Sequence, residues 1–283
     1  MSRIGVVGCG LMGSGIAEVA ARAGLDVVVL EMSEALVAAG RAKVEASLSN
    51  AVKRGKLSED EHDAVFGRIT FTDEAEALAD RELVVEAVPE IEDMKVDLFR
   101  TLDKVVSAPD AVLASNTSSI PIMKLGMATN RPEQVVGIHF FNPVTVLPLV
   151  ELVPSLLTAP GVMAQARSFA SGQLGKTVIR SQDRAGFVVN ALLIPYILSA
   201  IRMFESGFAT AEDIDAGMVQ GCAHPMGPLA LADLIGLDTV MAVGMSMYEE
   251  FKEPLYASPP MLLRMVDAGL LGRKTKRGFF QYP

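Results

Sequence analysis

The sequence predicts an α/β protein: a doubly wound, mainly parallel sheet followed by a smaller all-α region. Three observations carry that expectation. Short apolar runs alternate with helical patterns up to Asp183. The first run turns into a helix through a glycine-rich segment. Beyond Asp183 the strand pattern stops and long apolar helical stretches take over, so domains of 1–183 and 184–283 are expected.

The first strand is Arg3-Ile4-Gly5-Val6-Val7. It breaks at Gly8-Cys9-Gly10-Leu11-Met12-Gly13, and a helix follows with Ile16, Val19 and Ala20 among its apolar positions. A second run, Val27-Val28-Val29-Leu30, stops at Glu31. Strand, glycine turn, helix, strand and acid in that order describe a Rossmann-type dinucleotide site. Gly8 allows the tight turn. Gly10 lets the backbone approach a pyrophosphate that a Cβ would strike. Gly13 lets the helix pack against the strand, and the first N–H groups of that helix face the phosphates. Glu31 is positioned to accept hydrogen bonds from an adenosine ribose. The bland alternative for the same glycines is a turn in an α/β core. A carboxylate suits the 2′-hydroxyl of NAD and repels the 2′-phosphate of NADP. Met32, Ser33 and Glu34 supply no cation to reverse that preference, so NAD is expected over NADP.

Residues 34–54 carry apolar positions at helical spacing and end in Lys53-Arg54-Gly55-Lys56. Ser58-Glu59-Asp60-Glu61 restarts a helix with capping-box spacing. The result is a helical hairpin with a basic tip, either an ordinary solvated surface or a grip for an anionic substrate. Short strands follow at 69–71, 83–88, 111–114, 135–141 and 150–153, with an amphipathic helix through Val96, Phe99 and Leu102. Glu90, residues 115–119 and His139 fall at or just past strand ends, where ligands gather in such sheets.

In the second region, residues 187–198 form an apolar helical stretch expected to be buried on most sides and to be kinked or broken by Pro195. Thr210 caps another helix, and further helices run near 229–235, 237–251 and 259–268. An all-α region this apolar is expected to pair with a second copy as a homodimer.

Half of the 283 residues are apolar and the formal charge is −9. That balance argues against nucleic acid or an anionic membrane as partner. Cys9 and Cys222 lie too far apart in sequence to suggest a disulfide framework, which fits a reducing cytoplasm. Met1 leads straight into the first strand, and no run of about 18 residues is apolar enough to span a bilayer. A cytoplasmic protein without a metal site is expected.

Three histidines are candidates for chemistry. His62 lies among Glu59, Asp60, Glu61 and Asp63 and reads as a solvated helix residue. His224 precedes Pro225-Met226-Gly227-Pro228 and reads as a turn former. His139 ends a buried strand, and Glu151 follows within the apolar run 147–153. A carboxylate there needs a partner. Strand, loop and strand could bring it to His139, either as the acid–base pair of a dehydrogenase or as a satisfied structural pair.

The chain resembles the L-3-hydroxyacyl-CoA dehydrogenase family from its first strand to its last residues. The motifs, in order, are Gly8-Cys9-Gly10-Leu11-Met12-Gly13, Ala114-Ser115-Asn116-Thr117-Ser118-Ser119, His139-Phe140-Phe141-Asn142-Pro143, Pro148-Leu149-Val150-Glu151, Gly186-Phe187-Val188-Val189-Asn190, His224-Pro225-Met226-Gly227-Pro228 and Gly278-Phe279-Phe280. It is most similar to the short, single-function 3-hydroxybutyryl-CoA members. The resemblance implies an acyl-CoA substrate, His139 as general base and Glu151 as its orienting partner. It implies Ser118 and Asn190 on the reacting substrate oxygens, and Glu90, Lys95, Asn116, Asn142 and Lys274 on the cofactor. Ser47 and Arg54 match the region that touches coenzyme A in the family. The family commonly carries Arg where Ala191 stands, which removes a neighbouring ion pair but not the catalytic set. A related dehydrogenase of a free hydroxy acid, of the gulonate-oxidising kind, would share the same fold and pair. A non-catalytic NAD-binding protein is the alternative outside the enzymes.

Overall fold

In the computed structural model, which describes all 283 residues, the apolar runs of the first region pair into one eight-stranded sheet. The strands are β1 (Arg3–Val7), β2 (Asp26–Leu30), β3 (Ile69–Thr72), β4 (Leu83–Glu86), β5 (Val112–Ser115), β6 (Val135–Phe140), β7 (Leu149–Pro154) and β8 (Thr177–Arg180). Their order is β3-β2-β1-β4-β5-β6-β7-β8. All neighbours are parallel except β6 and β7. The order reverses between β1 and β4, which opens a crevice beyond their carboxyl ends. Helices α1 (Leu11–Arg22), α2 (Glu34–Lys53), α3 (Glu59–Phe66), α4 (Glu92–Val105), α5 (Ile122–Gly126) and α6 (Pro160–Arg167) make the connections. The central strands are buried along nearly their whole length, as a sheet covered on both faces requires. Ile4, Val6, Val27, Val29, Val85 and Ala114 share one core with Ile16, Ala17 and Ala20 of α1.

The chain divides into units Met1–Asp183 and Arg184–Pro283. The second unit holds α7 (Val189–Glu205), α8 (Ala211–Gly221), α9 (Pro228–Ile235), α10 (Leu237–Phe251) and α11 (Pro260–Asp267). Its core joins Ile194, Ile197, Leu198, Leu229, Leu237, Val240 and Met247. Buried Asp215 accepts from the N–H groups of Leu229 and Ala230 and so caps α9. Asp233 accepts from Phe279 and Phe280 N–H and from the Tyr282 hydroxyl, which latches the C-terminal segment to this unit. No single helix is long and apolar enough to cross a membrane. Only α9 and α10 together pass that test, and they are bent by 96°.

Several expectations change here. Strand β8 went unrecognised because an edge strand is only half covered and lacks a clear apolar pattern. Pro195 does not break its helix: α7 runs through it, and Ser199 Oγ donates to the Pro195 carbonyl at 2.7 Å. An interior proline costs about 3 kcal/mol. Buried Ile194, Ile197, Leu198 and Ile201, at roughly 1.5–3 kcal/mol each, exceed that cost. The same stretch is not covered all round, since Leu192 is 73% exposed. His62 is not solvated: its side chain is 14% exposed, Nδ1 lies 2.9 Å from Asp63, and the ring stacks on Phe66.

Candidate active site

The glycine turn is built as tightly as its sequence suggests. Gly8 has φ +87°, and its N–H donates to the Leu30 carbonyl at 2.9 Å. A Cβ on Gly13 would lie 1.8 Å from the Gly8 carbonyl oxygen, so only glycine lets α1 start this close to the strand end. A Cβ on Gly10 would meet nothing within 4 Å. That open space suits a phosphate group, and neither a capping side chain nor an acid in the first turn competes for the N–H groups of α1. Glu31 accepts a hydrogen bond from Cys9 N–H, so the acid after β2 is tied to the turn itself. Lys43 Nζ donates to the Cys9 carbonyl at 3.3 Å. Burial, reinforced by Glu31 and opposed by Lys43, pushes the Cys9 thiol up to about 12, which leaves it unreactive. Leu11 and Met32 stay exposed beside the turn.

Across the switch point, the ends of β4 and β5 hold a group of charges. Glu86 and Ser115 are register partners, and the Ser115 hydroxyl donates to Glu86 at 2.6 Å. Lys95, on α4 and 1% exposed, places Nζ 2.9 Å from Glu86 and 2.8 Å from Glu90. Glu90 Oε1 accepts from Thr117 Oγ1 and from the backbone N–H groups of Ser118 and Ser119. Burial pushes the Glu86 carboxyl above the usual range against the pull of Lys95 and Ser115. Burial also opposes ionisation of Glu90, but Lys95 and the Thr117 and Ser118 donors outweigh it and hold that carboxyl low. Sequence reasoning paired Lys95 with the cofactor directly. The structure buries it between Glu86 and Glu90.

His139 and Glu151 face each other across the antiparallel β6–β7 pair. Register therefore puts the two side chains on one face, with Nδ1 of His139 2.7 Å from Oε2 of Glu151. Glu151 is 0% exposed and His139 6%. The Phe141 ring packs against the imidazole at 4.7 Å between centroids. Asn116 Oδ1 accepts from Phe140 N–H at 2.8 Å, which ties the segment after β5 to the strand carrying His139. Asn142 follows shortly, before the cis Pro143. The loop after it is held by Lys176, whose buried ammonium donates to the Val144 and Leu147 carbonyls at 2.5 and 2.8 Å. Burial lowers the pKa of that lysine.

The first unit thus brings together the glycine turn with Glu31, Glu90 with Ser118, and His139 with Glu151 and Asn116. Ser47 is half-buried on α2, and Arg54 is the exposed cap at its end. Asn190 and Lys274 belong to the second unit. Asn190 is half-buried in the first turn of α7, and Lys274 pairs with Asp238 at 2.5 Å. Sequence reasoning missed Glu86 and Lys176. A signal for Glu86 existed: it is a carboxylate inside the apolar run 83–88, as Glu151 is inside its own.

Comparison with known proteins bears on this arrangement. The model of the 3-hydroxyacyl-CoA dehydrogenase NAD-binding domain matches residues 3–184, and that of the C-terminal domain matches residues 186–282. A 3-hydroxybutyryl-CoA dehydrogenase of Mycobacterium tuberculosis is 59% identical over 282 residues, covering 100% of this chain and 99% of that protein. The solved structure of FadB2 from M. tuberculosis superposes with a TM-score of 0.99 at 59% identity, covering 100% of this chain and 99% of its own. That of (S)-3-hydroxybutyryl-CoA dehydrogenase PaaH1 from Ralstonia eutropha gives 0.94 at 43% identity, covering 100% and 99%.

Proposed function

The chain belongs to the 3-hydroxyacyl-CoA dehydrogenase family of NAD-dependent oxidoreductases, and on that footing we propose that it interconverts an L-3-hydroxyacyl-CoA and its 3-ketoacyl-CoA, with the four-carbon substrates preferred. The observation that carries the dehydrogenase chemistry is the buried contact between His139 and Glu151. The names of the relatives at 59% and 43% identity support the short acyl chain.

In the direction of oxidation, His139 Nε2 takes the proton of the C3 hydroxyl. Glu151 holds the Nδ1 proton, fixes the ring and stabilises the imidazolium that forms. Bound NAD supplies the hydride acceptor. Ser118 and Asn190 donate hydrogen bonds to the substrate oxygens, where negative charge develops. The glycine turn from Gly8 to Gly13 and the first N–H groups of α1 hold the pyrophosphate, and Glu31 the adenosine ribose. Glu90, backed by Lys95, together with Asn116, Asn142 and Lys274, completes the cofactor contacts. Ser47 and Arg54 meet the coenzyme A portion. The exposed Leu192 and Phe208 of the second unit support a homodimer in that region, and the net charge of −9 supports neither nucleic acid nor an anionic membrane as partner. Free Cys9 and Cys222 suit a cytoplasmic enzyme.

The test is a steady-state panel of acetoacetyl-CoA, longer 3-ketoacyl-CoAs and free acetoacetate. Acetoacetyl-CoA should give the highest kcat/KM. Reduction of the free acid with none of the thioester would overturn the reading in favour of a free hydroxy-acid dehydrogenase.

A further inference from the structure

Glu86 takes no part in the reaction as proposed, yet it is 0% exposed and fully engaged. Its Oε1 accepts from Val88 N–H at 2.8 Å and lies 2.9 Å from Lys95 Nζ, while Oε2 accepts from the Ser115 hydroxyl at 2.6 Å. Two paths lead from it to the same turn. Along one, the Ser115 oxygen that donates to Glu86 also accepts from Thr117 N–H at 3.1 Å. Along the other, Lys95 reaches Glu90 at 2.8 Å, and Glu90 gathers Thr117 Oγ1 at 2.5 Å and the Ser118 and Ser119 N–H groups at 3.0 and 3.1 Å. The paths meet at Thr117, so Glu86, Ser115, Thr117, Glu90 and Lys95 form a closed ring. Thr117 and Ser115 are both buried, which shields that side of the ring from competing water, while the Glu90 side chain is 35% exposed.

We infer that Glu86 is a positioning residue: by closing this ring it holds the turn 117–119 in one conformation and so presents Ser118 to the substrate. The inference rests on the reading of Ser118 as a substrate-binding residue. Lys95 without Glu86 still pairs with Glu90, so simple neutralisation of a buried lysine does not require the ring. What the ring adds is two-point attachment of the turn, because a carboxylate held at only one oxygen can swing and carry its donors with it. Glu86 can serve both arms because it ends β4, directly beside Ser115 at the end of β5.

The experiment is a double-mutant cycle on the full-length enzyme, with acetoacetyl-CoA and NADH as substrates. Glu86→Ala removes the carboxylate, and with it the bonds to the Ser115 hydroxyl and to Lys95, so the ring opens. We expect kcat to fall roughly tenfold in the Glu86→Ala enzyme, with little further loss when it is added to Ser118→Ala, as for residues acting as one unit. Losses that multiply in the double variant overturn the inference. So does a lowered melting temperature with kcat unchanged, which is the signature of a merely structural carboxylate. Wild-type turnover in Ser118→Ala would instead remove the reading underneath, and it is read from that single variant alone. If the Glu86→Ala protein does not fold, Ser115→Ala breaks the Glu86–Ser115 bond from the other side and goes through the same cycle, with the same outcomes counting for and against.

Discussion

The first unit holds two charge clusters near strand ends, and they are built on different plans. His139 and Glu151 meet across an antiparallel strand pair, where the register places them opposite each other. Glu86, Lys95 and Glu90 come from a strand end, a helix and the loop between them, and Ser115 and Thr117 close them into a ring. An imidazole against one carboxylate can accept a proton and return it. An ammonium between two carboxylates, fully surrounded by donors and acceptors, is suited to holding things still.

The largest effect expected from this contrast is on turnover at the pair. His139→Gln should lower kcat roughly 10²–10⁴-fold, the usual contribution of general acid–base catalysis, while the fold and NADH binding are kept. Glu151→Gln should lose less, because an amide still accepts from Nδ1 but stabilises imidazolium poorly. The double variant should be far less impaired than the product of the two losses. Near-wild-type turnover in folded His139→Gln would end the assignment, and multiplicative losses would detach Glu151 from His139.

The same contrast explains what could be read from the residues. The pair was legible because a carboxylate in an apolar run demands a partner, and the strand–loop–strand pattern offered His139. Glu86 obeys the same rule, and Lys95 lies close by in sequence, but the strand–helix pattern between them does not mark the two as partners. Lys95 sits on the buried stripe of α4 with Phe99 and Leu102, at helical spacing from both, where a lysine ordinarily reads as solvated. Its partners become visible only when β4 and α4 are placed together. The glycine turn and Glu31 were legible because each glycine there has a steric reason that local geometry already states. Edge strand β8 was not, since its pattern depends on β7 lying beside it.

A smaller effect concerns Glu31, which belongs to neither cluster but ties the dinucleotide turn through Cys9. If its charge faces the 2′-position, NADH should exceed NADPH in kcat/KM by about 10–100-fold, since like charges brought together cost several kcal/mol. Glu31→Gln keeps an acceptor for Cys9 N–H and should narrow that ratio. Comparable rates with the two cofactors in the wild-type enzyme would mean that a cation, of which Lys43 is the nearest to the turn, compensates the carboxylate.

The smallest effect is on stability, and it separates the two carboxylates inside the ring. Burial, working against Lys95 and the Ser115 and Val88 donors, raises the folded-state pKa of Glu86 above its ordinary 4.5. In the window upward from 4.5 the native state then binds more protons at this site than the unfolded chain, so its contribution to stability falls as pH rises. Glu90 has the opposite sign. Burial opposes its charge too, but Lys95 and the Thr117 and Ser118 donors hold it below 4.5, so its contribution is present above that value and is lost as pH falls through the folded pKa. Glu86→Gln removes only the first of these slopes. The melting temperature of the variant, taken relative to wild type, should therefore rise as pH is raised from about 4.5. The other titrating groups are common to both proteins, so their contributions largely cancel in the difference. A difference that stays flat or falls across this window would show that Lys95 and Ser115 keep Glu86 ionised at its ordinary value despite its burial.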